Sequence, residues 1–231
     1  MNILYIRGLR INWDTMPLRS YVWNIPSIAN TSSLDFTKNV TFFVGENGSG
    51  KSTLLEAIAS SFGYNPEGGT RNYHFSTFDD LSDLSQSLTL IKGVYPKFGY
   101  FFRAETFYNV ATTSIVEYGG NDYHSNSHGE GHLEFLSFDG PGLYIMDEPE
   151  AALSPQRQLA LLKHVYDLAK KGAQFIIATH SPILLSCPNA EIFSFDEGKI
   201  TNCQYEETLC YVITKRFLND KDRMLKNLLG E

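Results

Sequence analysis

A chain of 231 residues, 42% of them hydrophobic, has material for one large domain or two small ones around a substantial core. Its net charge of −7 gives no support to a broad nucleic-acid-binding surface, although it allows a local basic patch. The three cysteines, Cys187, Cys203 and Cys210, have no metal-ligand spacing and cannot all pair, which points to a reducing compartment. No apolar run is long enough to span a bilayer, and residues 1–13 lack the apolar run and small-residue cleavage site of a signal peptide. These features predict a cytoplasmic protein without direct membrane insertion.

Taken in order, residues 3–11 read as a strand, with Ile3, Tyr5 and Leu9 among polar neighbours. A loop-rich segment follows, marked by Pro17 and Pro26, whose aromatics Trp13, Tyr21 and Trp23 are expected in the core or on a sheet. Residues 40–44 are β-branched and aromatic and read as a buried strand. Residues 51–62 put Leu54, Leu55, Ile58, Ala59 and Phe62 on one side of a helix, with Gly63 at its C-terminal cap. Residues 64–73 are turn-rich, with Pro66, Gly68 and Gly69. Residues 79–90 carry Leu81, Leu84 and Leu88 at helical spacing, residues 98–102 form a short strand, and residues 119–127 a polar loop.

The second half alternates strands and helices. Residues 143–146 form an apolar strand ahead of Asp147, and Ser154-Pro155 supplies an N-cap and a first-turn proline. The helix that follows is expected to turn Leu159, Leu162, Val165, Tyr166 and Ala169 inward and to end at Lys170-Lys171-Gly172. Residues 175–178 are the next strand, and Ser181-Pro182 opens another helix. Residues 191–196 and 199–203 flank Glu197-Gly198 as a hairpin, and the tail from Leu209 onward is helical. Such alternation predicts an α/β fold with a mostly parallel sheet and a ligand site at the carboxyl ends of its strands.

The chemistry sits at those strand ends. Gly45-Glu46-Asn47-Gly48-Ser49-Gly50-Lys51-Ser52 matches G-x-x-x-x-G-K-[ST], placed between a strand and a helix as that motif requires. The glycines let the backbone curl so that several N–H groups face one point. With the positive end of the new helix, continuing through Thr53, they make a site for nucleotide phosphates. Lys51 adds a point charge near the outer phosphates, and the Ser52 hydroxyl reaches a Mg²⁺. Asp147-Glu148 follows a second apolar strand. Asp147 is the candidate for the Mg²⁺ shell and Glu148 for orienting and polarising the attacking water. Within this frame one of the three N-terminal aromatics is the alternative candidate for stacking on adenine.

With these motifs the chain resembles the ABC-type P-loop ATPases. Ser127-His128-Gly129-Glu130 looks like their signature in its S-x-G-E form, Glu150-Ala151-Ala152-Leu153-Ser154 like the D-loop, and His180 like the switch histidine. Within that group, the glycine loop, S-x-G-E and Asp147-Glu148-Pro149-Glu150 look more like the SMC, RecF and OLD-type heads than like transporter subunits. The resemblance implies a single ATPase domain over residues 1–231. Residues 1–64 and 140–231 would form the nucleotide-binding core, with an N-terminal antiparallel β-part. Residues 65–139 would form a small helical lobe carrying the signature.

The resemblance further implies that Gly45, Asn47, Gly48, Ser49, Gly50, Lys51, Ser52 and Thr53 hold ATP. Ser52 and Asp147 would hold Mg²⁺, and Glu148 and His180 would be catalytic. Ser127, Gly129 and Glu130 would meet the ATP of a second protomer, giving an ATP-dependent homodimer. The family's Gln at the end of the strand before the signature is missing here, where Arg103-Ala104-Glu105 stands. Arg103 and Glu105 are both candidates to replace it.

About 75 residues separate the P-loop from the signature. That is too few for long coiled-coil arms, so the output must pass through a partner protein. The implied role is an ATP-driven switch in DNA maintenance and repair or in anti-phage defence. The alternatives are the ATPase subunit of an ABC transporter and a nucleotide-bound scaffold or toxin regulator with little turnover. His124, His128 and His132 are spaced four apart, as metal ligands on a helix would be, but Gly129 and Gly131 interrupt that helix. The basic tail at residues 215–226 leaves DNA as a candidate partner, and a solvated helical face explains the same charges.

Overall fold

The computed structural model describes residues 4–66, 68–69, 82–104, 140–151 and 153–230. Two sheets and one buried helix make the framework. The larger sheet has the order β5-β6-β7-β3-β8-β9, from Gly99–Arg103 (β5), Leu143–Asp147 (β6), Gln174–Ala178 (β7), Val40–Val44 (β3), Glu191–Ser194 (β8) and Thr201–Cys203 (β9). The pairs from β5 to β8 are parallel, and only β9 returns antiparallel. The smaller sheet is antiparallel and has the order β2-β1-β4, from Ser33–Asp35 (β2), Ile6–Ile11 (β1) and Leu88–Lys92 (β4). This is the expected α/β class, with the expected antiparallel part at the N-terminus.

The helices are Pro26–Ala29 (α1), Lys51–Phe62 (α2), Asp83–Ser87 (α3), Pro155–Lys170 (α4), Pro182–Leu185 (α5), Leu209–Asn219 (α6) and Lys221–Leu229 (α7). Helix α2 lies between the two sheets. Leu54, Leu55, Ala57, Ile58 and Ala59 have no exposed surface, and their core is completed by Leu9 of β1 and Phe43, Ile145 and Ile176 of the large sheet. It ends where Gly63 takes a left-handed conformation and its N–H returns to Ala59 and Ser60. The opposite face of the large sheet, with Phe42, Phe102, Met146, Phe175 and Ile177, is covered by α4 and α5. Each fully buried Phe or Ile contributes about 1.5–3 kcal/mol relative to leaving it exposed.

The side chain of Gln174 links the two sheets by hydrogen bonds. Gln174 is fully buried at the start of β7. Its Oε1 accepts from Tyr5 N (2.8 Å) and Ile6 N (2.9 Å), and its Nε2 donates to Ile6 O (2.8 Å). This amide satisfies backbone groups at the start of β1 that sheet pairing does not reach.

One expectation gives way to the tertiary pairing. The leucine spacing over residues 79–90 predicts one helix, but α3 stops at Ser87 and Leu88–Lys92 becomes β4. That stretch has the β-branched Thr89 and Ile91, and its backbone is needed by β1. On α4 the fully buried stripe is Leu161, Val165 and Leu168, with Leu162, Tyr166 and Ala169 partly buried against the same core as expected, while Leu159 is 55% exposed, because the buried face is rotated toward Leu161 and Leu168. The helical tail breaks at Asp220, whose side chain caps α7 through Arg223 N. Strands β4 and β5 both fall within residues 65–139 and belong to the sheets, so those residues are not all lobe. The residue 119–127 loop, the three spaced histidines, and Glu105, Ser127, Gly129 and Glu130 lie outside the described residues.

Candidate functional site

Because β5 to β8 run parallel, their carboxyl ends share one edge, and the chemistry-bearing residues are gathered there. The glycine loop follows β3, Asp147 ends β6 with Glu148 after it, His180 follows β7, and Asp196 follows β8. Strand β7 lies between β3 and β6, so His180 stands between the loop and Glu148. Helix α2 packs over β7 and β6 as it leaves the loop. That crossing brings Ser52, in its first turn, to Asp147, and the Ser52 hydroxyl donates to Asp147 Oδ1 at 3.0 Å.

The loop is held from both sides. Glu46 N donates to Asp196 Oδ1 at 3.1 Å, and Ser27 Oγ donates to Ser49 O. Gly50 sits at φ +99, and a Cβ there would lie 2.6 Å from Ile25 Cγ2, so the α1 region packs directly on the loop and excludes any side chain. Gly48, at φ +78, has nothing within 4 Å of where its Cβ would be. That side is open, as approach of a phosphate requires. Asn47 completes the loop, and Lys51, Ser52 and Thr53 open α2.

Lys51 is only 4% exposed, and its Nζ donates to Gly45 O at 2.8 Å and Glu46 O at 2.9 Å. Burial pushes the pKa of this ammonium down, and the charges of Glu148, Asp147, Asp196 and Glu150 pull it back up. An anion arriving at the loop would meet a cation already fixed in place. A part-buried hydroxyl in contact with a buried carboxylate, a fixed ammonium and a loop open at Gly48 fit a phosphate chain with a hard divalent ion. Ser52 and Asp147 would hold Mg²⁺.

Glu148 has φ +49, a left-handed conformation that a non-glycine residue adopts at a cost of about 1–3 kcal/mol. Its N–H donates to Ala178 O at 2.9 Å, which locks it to β7. Its Oε1 lies 3.8 Å from His180 Nε2, too long for a hydrogen bond, and that nitrogen is buried with no partner among the described residues. One further atom placed at hydrogen-bond distance from both would complete the pair.

A cleft of about 200 Å³ beside the loop is lined by Gly45, Glu46, His180 and Asp196, with Leu209 and Ile213 of α6 on its far wall. Neither Asp196 nor α6 was visible as part of the site in the sequence, since nothing local says that β8 neighbours β3. Of the N-terminal aromatics, Trp13 and Trp23 pack on each other with centroids 4.8 Å apart, and Trp23 is 38% exposed. Tyr21 is 53% exposed and stands beside Thr53 and Glu56 of α2. Arg103 pairs with Glu56 Oε2 at 2.9 Å and donates to Pro66 O at 3.1 Å, so its guanidinium is held on α2. Among the described residues no group of His, Cys, Asp and Glu forms a further metal cluster, and no helix is long and apolar enough to cross a membrane.

Two family models match successive parts of the chain. One, described as "AAA domain", covers residues 19–114, and one described as "AAA domain, putative AbiEii toxin, Type IV TA system" covers residues 133–186. The chain is 37% identical over 60 residues to the energy-coupling factor transporter ATP-binding protein EcfA of Methanocaldococcus jannaschii, which is 26% of this chain and 22% of that protein. The EcfA of Methanococcus maripaludis is 32% identical over 60 residues, with the same coverage of 26% and 22%. The chain thus matches less than a quarter of the length of these relatives.

Among solved structures, the SMC head domain from Thermotoga maritima superposes with a TM-score of 0.49 at 15% identity, over 87% of this chain and 100% of that one. A nucleotide-free ATP-binding cassette from an ABC transporter gives a TM-score of 0.42 at 20% identity, over 79% and 87%. With two AAA-domain models matching in succession, and the glycine loop and Asp147-Glu148 at one edge of a parallel sheet, the chain is similar to AAA-type P-loop ATPase domains.

Proposed function

We propose that this chain binds MgATP and hydrolyses it to ADP and phosphate, acting as an ATP-driven dimerising switch that works through a partner protein in DNA maintenance, repair or defence against phage. The observation that carries the catalytic part is the meeting of Ser52 with Asp147, and of Glu148 with His180, at one sheet edge beside Lys51. Amides of Gly45, Asn47, Gly48, Ser49 and Gly50 and the first turn at Lys51, Ser52 and Thr53 cradle the phosphates. Ser52 and Asp147 would hold Mg²⁺, which would supply positive charge to offset that of the outer phosphates. Glu148 aligns and polarises the attacking water, and His180 contacts the γ-phosphate.

In this reading Ser127, Gly129 and Glu130, within residues 105–139, reach across to the ATP of a second copy. The binding site is then complete only in the dimer, and hydrolysis releases it. The experiment is steady-state turnover of wild type against Glu148→Gln, which keeps the shape of the side chain and removes its negative charge. Loss of a water-activating group costs about 10²–10⁴-fold in rate. A variant that turns over like wild type would remove Glu148 from its role, and a wild type that binds ATP without turnover would favour a nucleotide-bound scaffold.

A second reading, the ATPase subunit of a transporter, draws support from the 37% identity to a transporter ATP-binding protein. Against it stand Arg103-Ala104-Glu105 in place of a Gln and the Asp147-Glu148-Pro149-Glu150 run. Co-purification of a membrane permease with the chain would decide for it.

A further inference from the structure

Glu150 lies two residues beyond Glu148, yet its carboxylate turns inward. Oε1 accepts the main-chain N–H of His180 at 2.7 Å. Oε2 is buried with no hydrogen-bond partner among the described residues. Burial pushes the pKa of this carboxyl up. Burying a carboxylate with one oxygen unpaired is costly, so its place calls for a reason other than stability.

A second link lies on the other side of His180. Gln158, in the first turn of α4, donates to Leu153 O at 2.9 Å and accepts from Ser181 Oγ at 2.7 Å. Ser181 Oγ in turn accepts from Ile183 N and Leu184 N, which fixes the start of α5. The turn after β6 is closed on itself by Ala151 N to Glu148 O (3.1 Å) and Leu153 N to Glu150 O (2.8 Å). The loop that carries Glu148 and the loop that carries His180 are therefore fastened at two points, one on each side of the imidazole.

We propose that Glu150 is a positioning residue for hydrolysis. Its carboxylate latches the His180 main chain to the loop after β6, so that the imidazole stands at a fixed distance from Glu148 and a displacement of one loop is passed to the other. This rests on the chain being a working ATPase. The latch needs an acceptor at that reach and does not need the charge. Glutamine keeps the acceptor, aspartate withdraws it by one methylene, and alanine removes it.

The test uses the full chain with Glu150→Ala, Glu150→Asp and Glu150→Gln. Turnover, ATP affinity by calorimetry and melting temperature are measured, together with the His180 imidazole resonances of the nucleotide-free protein. Misplacement of a reacting group by about an ångström costs up to roughly 10²-fold, so alanine and aspartate should lower kcat by about that factor. KM and Kd should stay within about twofold, and the imidazole resonances should shift. Glutamine should restore both.

Should alanine fail to fold, aspartate decides. Wild-type kcat with unmoved imidazole resonances in aspartate would overturn the proposal, and so would a glutamine variant as impaired as aspartate. A wild type with no turnover would sink the hydrolytic reading alone. The latch would then stand or fall on whether aspartate moves the His180 resonances and glutamine restores them.

Discussion

The hydroxyl of Ser52 and the carboxylate of Asp147 meet at 3.0 Å although their parent strands, β3 and β6, are separated by β7. The contact exists because α2 leaves the glycine loop diagonally across the sheet. Two hard oxygen donors are thus brought together by the backbone. Asp147→Asn keeps the hydrogen bond and removes the charge. It should weaken ATP binding in the presence of Mg²⁺ by about 10–100-fold, as expected for a charged interaction of about 1.5–3 kcal/mol. Affinity measured without Mg²⁺ should change little. Calorimetry under both conditions checks this, and an equal loss in both would mean that Asp147 supports the loop and not the metal.

Lys51 is expected to matter for binding and not for folding. Its ammonium rests on two loop carbonyls, Gly45 O and Glu46 O, which stand at the edge of the cleft beside the loop. Lys51→Ala removes a fixed cation from a largely desolvated place, where its interaction with phosphate is strong. ATP affinity should fall by about 10–100-fold, on the scale of one charged hydrogen-bonding group. The melting temperature of the nucleotide-free protein should stay close to wild type. Unchanged ATP affinity would remove the glycine loop from the binding site.

How much of this was legible in the sequence depends on how local the cause is. The strand, loop and helix from Val40 to Phe62 were legible because β-branched residues, glycine spacing and a helical stripe each act over a few residues. The same holds for the strands ending at Asp147 and Ala178. The order of those strands was not legible, since no local signal says that β7 inserts between β3 and β6. Leu88 shows the limit of periodicity. It sits four residues after Leu84 and fits a helix, but the pairing with Ile11 of β1 makes it a strand residue. Glu150 and Arg103 were present in the motifs, while the direction of their side chains was set by partners, His180 N and Glu56, distant in the chain.

The join between the two sheets gives a stability prediction. Gln174→Leu keeps the approximate volume and removes every polar atom that Tyr5 N, Ile6 N and Ile6 O now use. Each buried backbone group left unpaired costs about 1–3 kcal/mol, so with three of them the loss should be at least about 3 kcal/mol. Urea unfolding should show a lower midpoint with an unchanged slope. A loss under about 0.5 kcal/mol, the size typical of a surface substitution, would mean that the two sheets hold together by apolar burial alone.

The last prediction concerns association, and it joins the described core to residues that lie outside it. In the proposed function the P-loop supplies one side of an ATP site, and Ser127 with Gly129 supplies the other from a second copy. The γ-phosphate is then the group that bridges protomers, and ADP lacks it. Glu148→Gln should accumulate as a dimer with MgATP and remain monomeric with MgADP, because slow hydrolysis leaves the bridging phosphate in place. Replacing Ser127 by Arg in that background should abolish the dimer by filling the interface, while ATP affinity of the single site stays within about threefold, a difference well under 1 kcal/mol. Sedimentation velocity on both proteins, with each nucleotide, reads the outcome directly. A Glu148→Gln protein that stays monomeric at saturating MgATP would break the homodimer and direct the search to a second ABC-type subunit carrying the facing signature. A Ser127→Arg protein that dimerises normally would take residues 127–130 out of the interface and leave the core site on this chain intact.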